Sequence, residues 1–580
     1  MNARTLSAYL SCASLLLGCA VSAAQTKPAA DAIYIHGNIL TGNGLSEGNP
    51  ERVRALAVTR GSIVSVGDDA AIEAAYKGPA TQVVDLHGAF VMPGFNDAHA
   101  HLGPAGQIKL SVDVTGAHSL AEMQSRLRRA AENAAPSAWL TGGGWDHTLW
   151  ESKTLPTKAD LDNVTGDHPA FLVRVDGHIA IANSAALAAA GISRDTPDPQ
   201  GGKIDRDAEG NPTGIIRETA QALIDKHIPP PTADQRRKGD ELALRDAVAH
   251  GVTSVQDNSD WEDFLVYEQL EKENKLAARV SEWLPFDASV ELLKSHRDHH
   301  NATDKMLHTT MLKGFMDGSL GSRTAALNAP YSDDPGNSGI PRYDQQKLNQ
   351  MAIERAEAGF QMGFHAIGDH AVSMALDAFA QSLDARRTMM ASLLPQLEKA
   401  SHAHITVTDA PRYRIEHSQV VAPADFARYK QLGVIASMQP NHLLTDMNWA
   451  EQRIGPERAK GSYAWKSFLD AGVPLAFGTD YPVEPITPFR GVYAAVTRMN
   501  EAGTMTYQPQ EKLTIGQALY AYTHGSAYAE FTEPWKGKIW PGYVADFVVL
   551  DRDLTTVSPA EILQTKVLRT VVGGQTVFEQ

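Results

Sequence analysis

Apolar positions along this chain fall into two kinds of run. Short alternating or continuous segments of about four to eight residues, bounded by Gly, Pro or Asn, predict strands; longer stretches with apolar residues three and four apart predict helices. Between Ala32 and Val91 the strand pattern prevails: Ile33-Tyr34-Ile35, Ile39-Leu40-Thr41, the alternating Val53 to Val58, Gly61 to Gly67, and Gln82 to Leu86. A matching set closes the chain at Gly537-Lys538-Ile539, Ala545 to Asp551 and Val567 to Gly574. Termini tend to lie close together in compact chains, so the two sets, over residues 25–92 and 536–580, predict one small composite β-sandwich.

Between them strands alternate with helices, which predicts a parallel sheet and, at this length, an α/β (β/α)8 TIM-like barrel over residues 93–535. Candidate strands are Phe90 to Met92, Val252 to Val255, Ala278 to Leu284, Thr309 to Phe315, Phe360 to Phe364, Tyr413 to Ile415, Val434 to Ser437 and Val473 to Phe477. Gln235 to His250, Gln346 to Ala358 and His370 to Leu383 are candidate helices. The piece over residues 103–231 is too long for a loop and predicts a subdomain inserted over the barrel mouth.

The first residues carry another pattern. Arg4 precedes an apolar run from Leu6 to Leu17, the length of a signal-peptide core and too short to span a bilayer as a helix. Export to the periplasm is expected. Two cleavage readings stand side by side: Val21-Ser22-Ala23-Ala24 suits an ordinary signal peptidase acting on a leader of residues 1–24, whereas Leu16-Leu17-Gly18-Cys19 resembles a lipobox, with a leader of 1–18 and a lipid anchor on Cys19. Cys12 and Cys19 are the only cysteines, so the mature chain is left without internal disulfides or thiolate ligands. No later run has the length of a transmembrane domain. A net charge of -16 with no basic run argues against nucleic acid, and a small-molecule substrate is the expected partner, homo-oligomerisation being left open.

Candidate chemistry begins at Pro93-Gly94-Phe95-Asn96-Asp97-Ala98-His99-Ala100-His101. Residues two apart on a strand share a face, so both imidazoles can reach one metal ion, although by themselves they read equally as polar loop residues. Barrel enzymes gather functional side chains at the carboxyl ends of strands. Lys313, His365, His417 and Asp480 all fall at or near such ends.

The Pro-Gly-Phe-x-Asp-x-His-x-His opening, the Lys at strand four, the His at strands five and six and the Gly-Thr-Asp at strand eight together resemble the amidohydrolase superfamily. Gly142-Gly143-Gly144-Trp145-Asp146, Val175-Asp176-Gly177-His178 with Asn183 to Leu187, and Lys313 with Asp317-Gly318-Ser319 and Thr324 to Leu327 resemble its YtcJ-like branch, which includes N-substituted formamide deformylases. The resemblance implies one or two divalent ions, most simply Zn2+. His99, His101 and Asp480 would hold one, His365 and His417 a second, and Lys313 would bridge them as N6-carboxylysine, since an ammonium would be repelled by two dications. The other reading of Lys313 turns the amine away from a single ion. Asp480 is the expected catalytic residue, a general base and then acid beside a metal-activated water.

Trp145, His178, Arg323 and His442 are candidates for lining the substrate pocket, each equally readable as a core or loop residue. The expected activity is hydrolysis of a non-peptide carbon–nitrogen bond, an amide or N-formyl group. An ester or lactone hydrolase, or an isomerase, on the same metal site is the alternative. A non-catalytic binding or regulatory lipoprotein fits less well, because no ligand of the set is missing.

Overall fold

The computed structural model describes residues 29–175, 177–199, 201–401 and 410–580, with backbone alone over 395–401. The expected leader, Cys19 included, lies outside the described residues. Among them, no helix is long and apolar enough to cross a membrane.

Eight parallel strands form the central sheet: β1 Phe95–Ala100, β2 Val252–Asp257, β3 Arg279–Pro285, β4 Leu307–Phe315, β5 Gln361–Ala366, β6 Arg414–His417, β7 Ile435–Met438 and β8 Leu475–Phe477. Each pairs with its neighbour in chain order. Helices cover the outer face, so the strands are buried on both sides and read as near-continuous apolar runs. The seam between β8 and β1 is closed just beyond β8. There Asp480 N donates to His99 O and His101 N to Tyr481 O, each at 2.7 Å. The Asp97 carboxylate ties the same seam, taking Thr479 N at 2.9 Å and Thr479 Oγ1 at 2.5 Å. Only glycine fits at 478, where a Cβ would lie 2.5 Å from His99 N and 2.7 Å from Asp97 Oδ1. The predicted TIM-like barrel is therefore present.

One predicted strand is misplaced. Phe90–Pro93 is not the first barrel strand: it pairs antiparallel with Phe547–Leu550 and parallel with Asn38–Leu40, inside the sandwich. The chain changes sheets at Gly94, whose N–H still reaches Asp546 O, whereas Phe95 N already reaches Gly251 O on the barrel. Both segments are wholly buried, so hydrophobicity alone could not separate them.

The terminal strands form two sheets, one ordered Ser62–Gly67, Ala55–Thr59, Ala32–Ile35, Gln82–Asp85 and one ordered Gln575–Glu579, Val567–Val572, Phe547–Leu550, Phe90–Pro93, Asn38–Leu40, Arg52–Val53. Tyr34, Leu56 and Val58 of the first share a core with Ile39, Val91, Phe547 and Val571 of the second. Arg279, at the start of β3, fastens the barrel to this sandwich through a buried two-point pair with Asp546, Nε to Oδ2 at 2.6 Å and Nη2 to Oδ1 at 2.8 Å.

The inserted piece leaves the carboxyl end of β1 through the helix Leu102–Leu110 and returns through the helix Ala233–Ala249. It carries its own six-stranded sheet, from Val112–Asp113 to Pro212–Glu218, and two apolar cores separate from that of the barrel. The start of the first helix is held by Asp257 at the end of β2, whose Oδ1 accepts Leu102 N at 2.7 Å.

Asp240 on the returning helix is fully buried, and neither carboxylate oxygen has a hydrogen-bond partner. Burial, then the negative charges of Asp263 and Asp257, push its carboxyl from the ordinary 3.8 up to about 9. Between those values the unfolded chain has lost a proton that the folded chain keeps, so stability on this account falls as pH rises, by up to about 1.4 kcal/mol per pH unit. Asp240→Asn is expected to gain stability relative to the parent between pH 5 and pH 8, read from urea midpoints. An identical pH dependence in both proteins would remove the assignment.

Candidate metal centre

His99 and His101 stand two apart at the end of β1, and their side chains converge as the strand periodicity requires. Each ring has one nitrogen fixed from behind. His99 Nδ1 donates to Glu416 Oε2 at 2.9 Å and His101 Nδ1 donates to Asn258 O at 2.9 Å. That leaves both Nε2 atoms as lone-pair donors, and both face Asp480 Oδ1, at 3.5 and 3.0 Å. The other oxygen, Oδ2, lies 3.0 Å from His442 Nε2.

The electrostatics favour neutral His99, His365 and His417 near an ionised Asp480; at His442 burial acts to lower the ring's pKa, but the bond to Asp480 outweighs it and lifts it above the ordinary histidine value. Burial first, then Lys313, lowers His99 to about 4 and His365 to about 3; burial and the neighbouring His365 hold His417 well below the ordinary histidine range. Burial acts to raise Asp480, but His99, His101 and His442 outweigh it and keep the carboxyl well below its usual value. Glu416 behaves alike. Burial is overridden by Arg414 and His99, and its carboxyl drops to about 2. Glu416 therefore stays an acceptor and pins the tautomer of His99.

These residues fit a divalent cation. Two lone pairs aimed at one anionic oxygen repel unless a positive charge sits among them, and neutral His with carboxylate is the donor set of zinc-type ions. Among the described residues, two groups of donors close up around Asp480: His99, His101 and Asp480, and His417, His442 and Asp480. His417 Nδ1 is buried without a hydrogen-bond partner. Lys313 Nζ lies 2.9 Å from His99 Nε2 and is flanked by the rings of Trp283 and Phe315, at 5.2 and 5.1 Å. Burial lowers its amine to about 8.

Of the expected ligands, His99, His101, Lys313, His417 and Asp480 are brought together. His365 is near, its ring centroid 4.4 Å from that of His417, but its Nε2 turns to Gly318 O at 3.3 Å and Asp317 Oδ1 at 3.5 Å. His442, expected to contact substrate, instead pairs with His417 on Asp480. The other pocket candidates have protein partners of their own. Trp145 is fully buried in the core of the insertion, its Nε1 donating to Leu172 O at 2.9 Å. Arg323 spends its guanidinium on Asp333, at 3.1 and 2.9 Å. His178 stands exposed beside Glu218, Nδ1 to Oε2 at 3.0 Å. Glu416, Asn258, Asp97 and Trp283 were not foreseen. Asp97 lies inside the opening motif, two residues before His99, and Glu416 stands one residue before His417, but what they hold is set by neighbours far along the chain.

The sequence matches the Amidohydrolase family over residues 82–578. The chain belongs to the amidohydrolase family. A Bacillus subtilis (strain 168) protein named as an amidohydrolase, YtcJ, is 32% identical over 92% of this chain and 97% of its own length. The N-substituted formamide deformylase of Arthrobacter pascens is 27% identical over 91% and 95%. A solved metal-dependent hydrolase of Pyrococcus horikoshii OT3 superposes with a TM-score of 0.72 at 30% identity, over 91% of this chain and 99% of that one. This amidohydrolase is thus an enzyme, a metal-dependent hydrolase of carbon–nitrogen bonds other than peptide bonds, in the branch to which YtcJ and the deformylase belong.

Outer partners that orient a ligating histidine typically contribute tenfold to a hundredfold in metal affinity. Glu416→Gln leaves Arg414 its bonds to Ala98 O and Ser437 Oγ, at 2.7 Å each, but removes the charge behind His99. The variant is expected to fold and to bind zinc about 10 to 100 times more weakly in equilibrium dialysis. Unchanged affinity would show that Glu416 does not tune His99.

Proposed function

We propose that this amidohydrolase is exported and cleaves linear amides or N-formyl compounds, with Asp480 moving the proton. The observation that carries the reading is the position of Asp480: one carboxylate, held ionised, shared between two groups of histidines. A divalent ion such as Zn2+, held by His99, His101 and Asp480, would polarise the scissile carbonyl and make water acidic enough to attack near neutral pH. Asp480 then accepts the proton of the attacking water and returns it to the leaving amine, which cannot depart as an anion. His442 on Oδ2 and the backbone bond from Asp480 N to His99 O fix the carboxylate for both transfers. Trp283 and Phe315 shield the Lys313 side of the site from solvent.

Lys313 in this reading is N6-carboxylysine. An ammonium 2.9 Å from a ligating nitrogen opposes a dication, whereas the carbamate supplies an anionic donor at the same place. The two donor groups on Asp480 support two ions, with His442 joining His417 at the second. The deformylase relative supports N-formyl compounds as the substrate class. The run from Leu6 to Leu17 supports export; the mass of the mature amino terminus would separate cleavage after Ala24 from a lipidated Cys19, and an intact Met1 would remove the export reading.

One set of preparations tests the chemistry. Zinc- and manganese-loaded enzyme is offered N-formyl amines, N-acyl amino acids, hydantoins and lactones, alongside Asp480→Asn and Lys313→Ala with metal analysis per chain. Turnover of formyl or acyl amines is expected, with a loss of roughly 10²- to 10⁴-fold in Asp480→Asn and an unchanged circular dichroism spectrum. Lys313→Ala is expected to retain less metal. Lactone turnover alone, near-normal activity in Asp480→Asn, or unchanged metal in Lys313→Ala would overturn the corresponding part.

A further inference from the structure

The barrel carries polar side chains in its interior, where branched apolar ones are usual. Asn96 of β1, Ser254 and Gln256 of β2, Gln361 of β5 and Arg414 and Glu416 of β6 are all buried. A segment from Ser526 to Lys536 crosses the amino-terminal end of the barrel, since it meets strands that are not neighbours. Ser526 O accepts Gln256 Nε2 at 2.8 Å, Ala529 O accepts Gln361 Nε2 at 2.9 Å, and Lys536 Nζ donates to Ser254 Oγ at 2.7 Å. Within this segment Glu530 and Lys536 form a buried ion pair at 2.5 Å. Exchanging buried ion pairs for apolar side chains is often neutral or stabilising, so packing alone does not account for them.

A line of hydrogen bonds joins that pair to the metal centre. Asn96 Nδ2 donates to Glu530 Oε1 at 2.7 Å, and Gln256 Nε2 reaches Asn96 Oδ1 at 3.5 Å. Arg414 Nη1 donates to Gln256 Oε1, and Arg414 Nε donates to Glu416 Oε1 at 2.5 Å. Glu416 Oε2 in turn holds His99 Nδ1 at 2.9 Å. Both amides in the line have one allowed orientation. The Glu530 carboxylate only accepts, so Asn96 turns its NH2 to it and its oxygen to Gln256; the guanidinium only donates, so Gln256 turns its oxygen to Arg414 and its NH2 to Asn96 and Ser526 O. Gln256 thereby completes the grip on Arg414. Nη2 is held by Ala98 O and Ser437 Oγ and Nε by Glu416, whereas the acceptor on Nη1 is Gln256.

We propose that Gln256 is a positioning residue for the metal centre: it fixes the Arg414 guanidinium that aims Glu416 at His99, and is itself held by Asn96 and the Glu530–Lys536 pair at the base of the barrel. Without its oxygen, Nη1 is a buried donor with no acceptor, and the guanidinium turns until it finds one. Glu416 moves with it, and His99 follows Glu416. The proposal concerns metal binding and stands independently of the substrate assigned above.

The test is the zinc affinity of the full chain by equilibrium dialysis, in a double-mutant cycle. Gln256→Leu keeps the bulk of the side chain and removes the acceptor. It is expected to fold by circular dichroism and to bind zinc roughly 3- to 10-fold more weakly than wild type, short of the loss typical of a group bonded directly to a ligand. In the Glu416→Gln background the same change is expected to cost less than about twofold, because the route through Glu416 is already cut. The visible spectrum of the cobalt-loaded Gln256→Leu protein is expected to differ from that of wild type, which a loss of stability alone would not produce. Wild-type affinity and spectrum in Gln256→Leu overturn the proposal, and an equal loss in both backgrounds overturns the route through Glu416. Should Gln256→Leu misfold, Gln256→Met, unbranched and without an acceptor oxygen, takes its place in the cycle. A wild type that binds no zinc would overturn the metal centre itself.

Discussion

The active end of this enzyme rests on one electrostatic constraint, a carboxylate and several imidazoles packed together so that they satisfy one another. Burial strips His99 and His417 of their protons, and bonds from His101 and His442 help keep Asp480 ionised. Lone pairs facing a negative oxygen in a low-dielectric interior are costly until a cation joins them. Much of the surrounding structure maintains this arrangement. Arg414, itself buried among Ala98 O, Ser437 and Glu416, holds Glu416 charged, Glu416 turns His99, and Asn258 O turns His101.

The barrel makes that constraint tolerable because its closure and its chemistry share residues. Asp480 N donates to His99 O across the seam between the last strand and the first, and Asp97 bonds both His99 N and Thr479. Distortion of the seam would move ligands on both sides at once. At the opposite end Arg279 and Asp546 bind the barrel to the sandwich, which explains why strands from both ends of the chain are spent on a sheet far from the reaction. The sandwich also decides where β1 begins, since Phe90–Pro93 is anchored there before the chain crosses at Gly94.

Family membership narrows the chemistry without choosing the substrate. Fold and ligands recur across hydrolases of different bonds, and specificity lives in the side chains that reach the mouth. Here the candidates chosen for their residue type fared unevenly. Trp145 serves the insertion's core, Arg323 is paired with Asp333 and His178 with Glu218, whereas His442 bonds Asp480. An aromatic or charged residue in a motif declares only that its position is constrained; its partners declare the reason.

Periodicity alone determined the fold class of this protein, because eight apolar runs alternating with helices admit few architectures besides a barrel, and the strand period alone placed His99 and His101 on one face. Strand-end position and motif order similarly singled out Lys313, His417 and Asp480. What only the tertiary structure decided is everything that depends on partners distant in sequence: that Phe90–Pro93 pairs with strands at the far terminus, that His442 rather than His365 shares Asp480 with His417, and that Glu416 orients His99. Local patterns encode which way a side chain points. Which atom it meets is set by the packing of the whole chain, and that is where charge, tautomer and coordination are chosen.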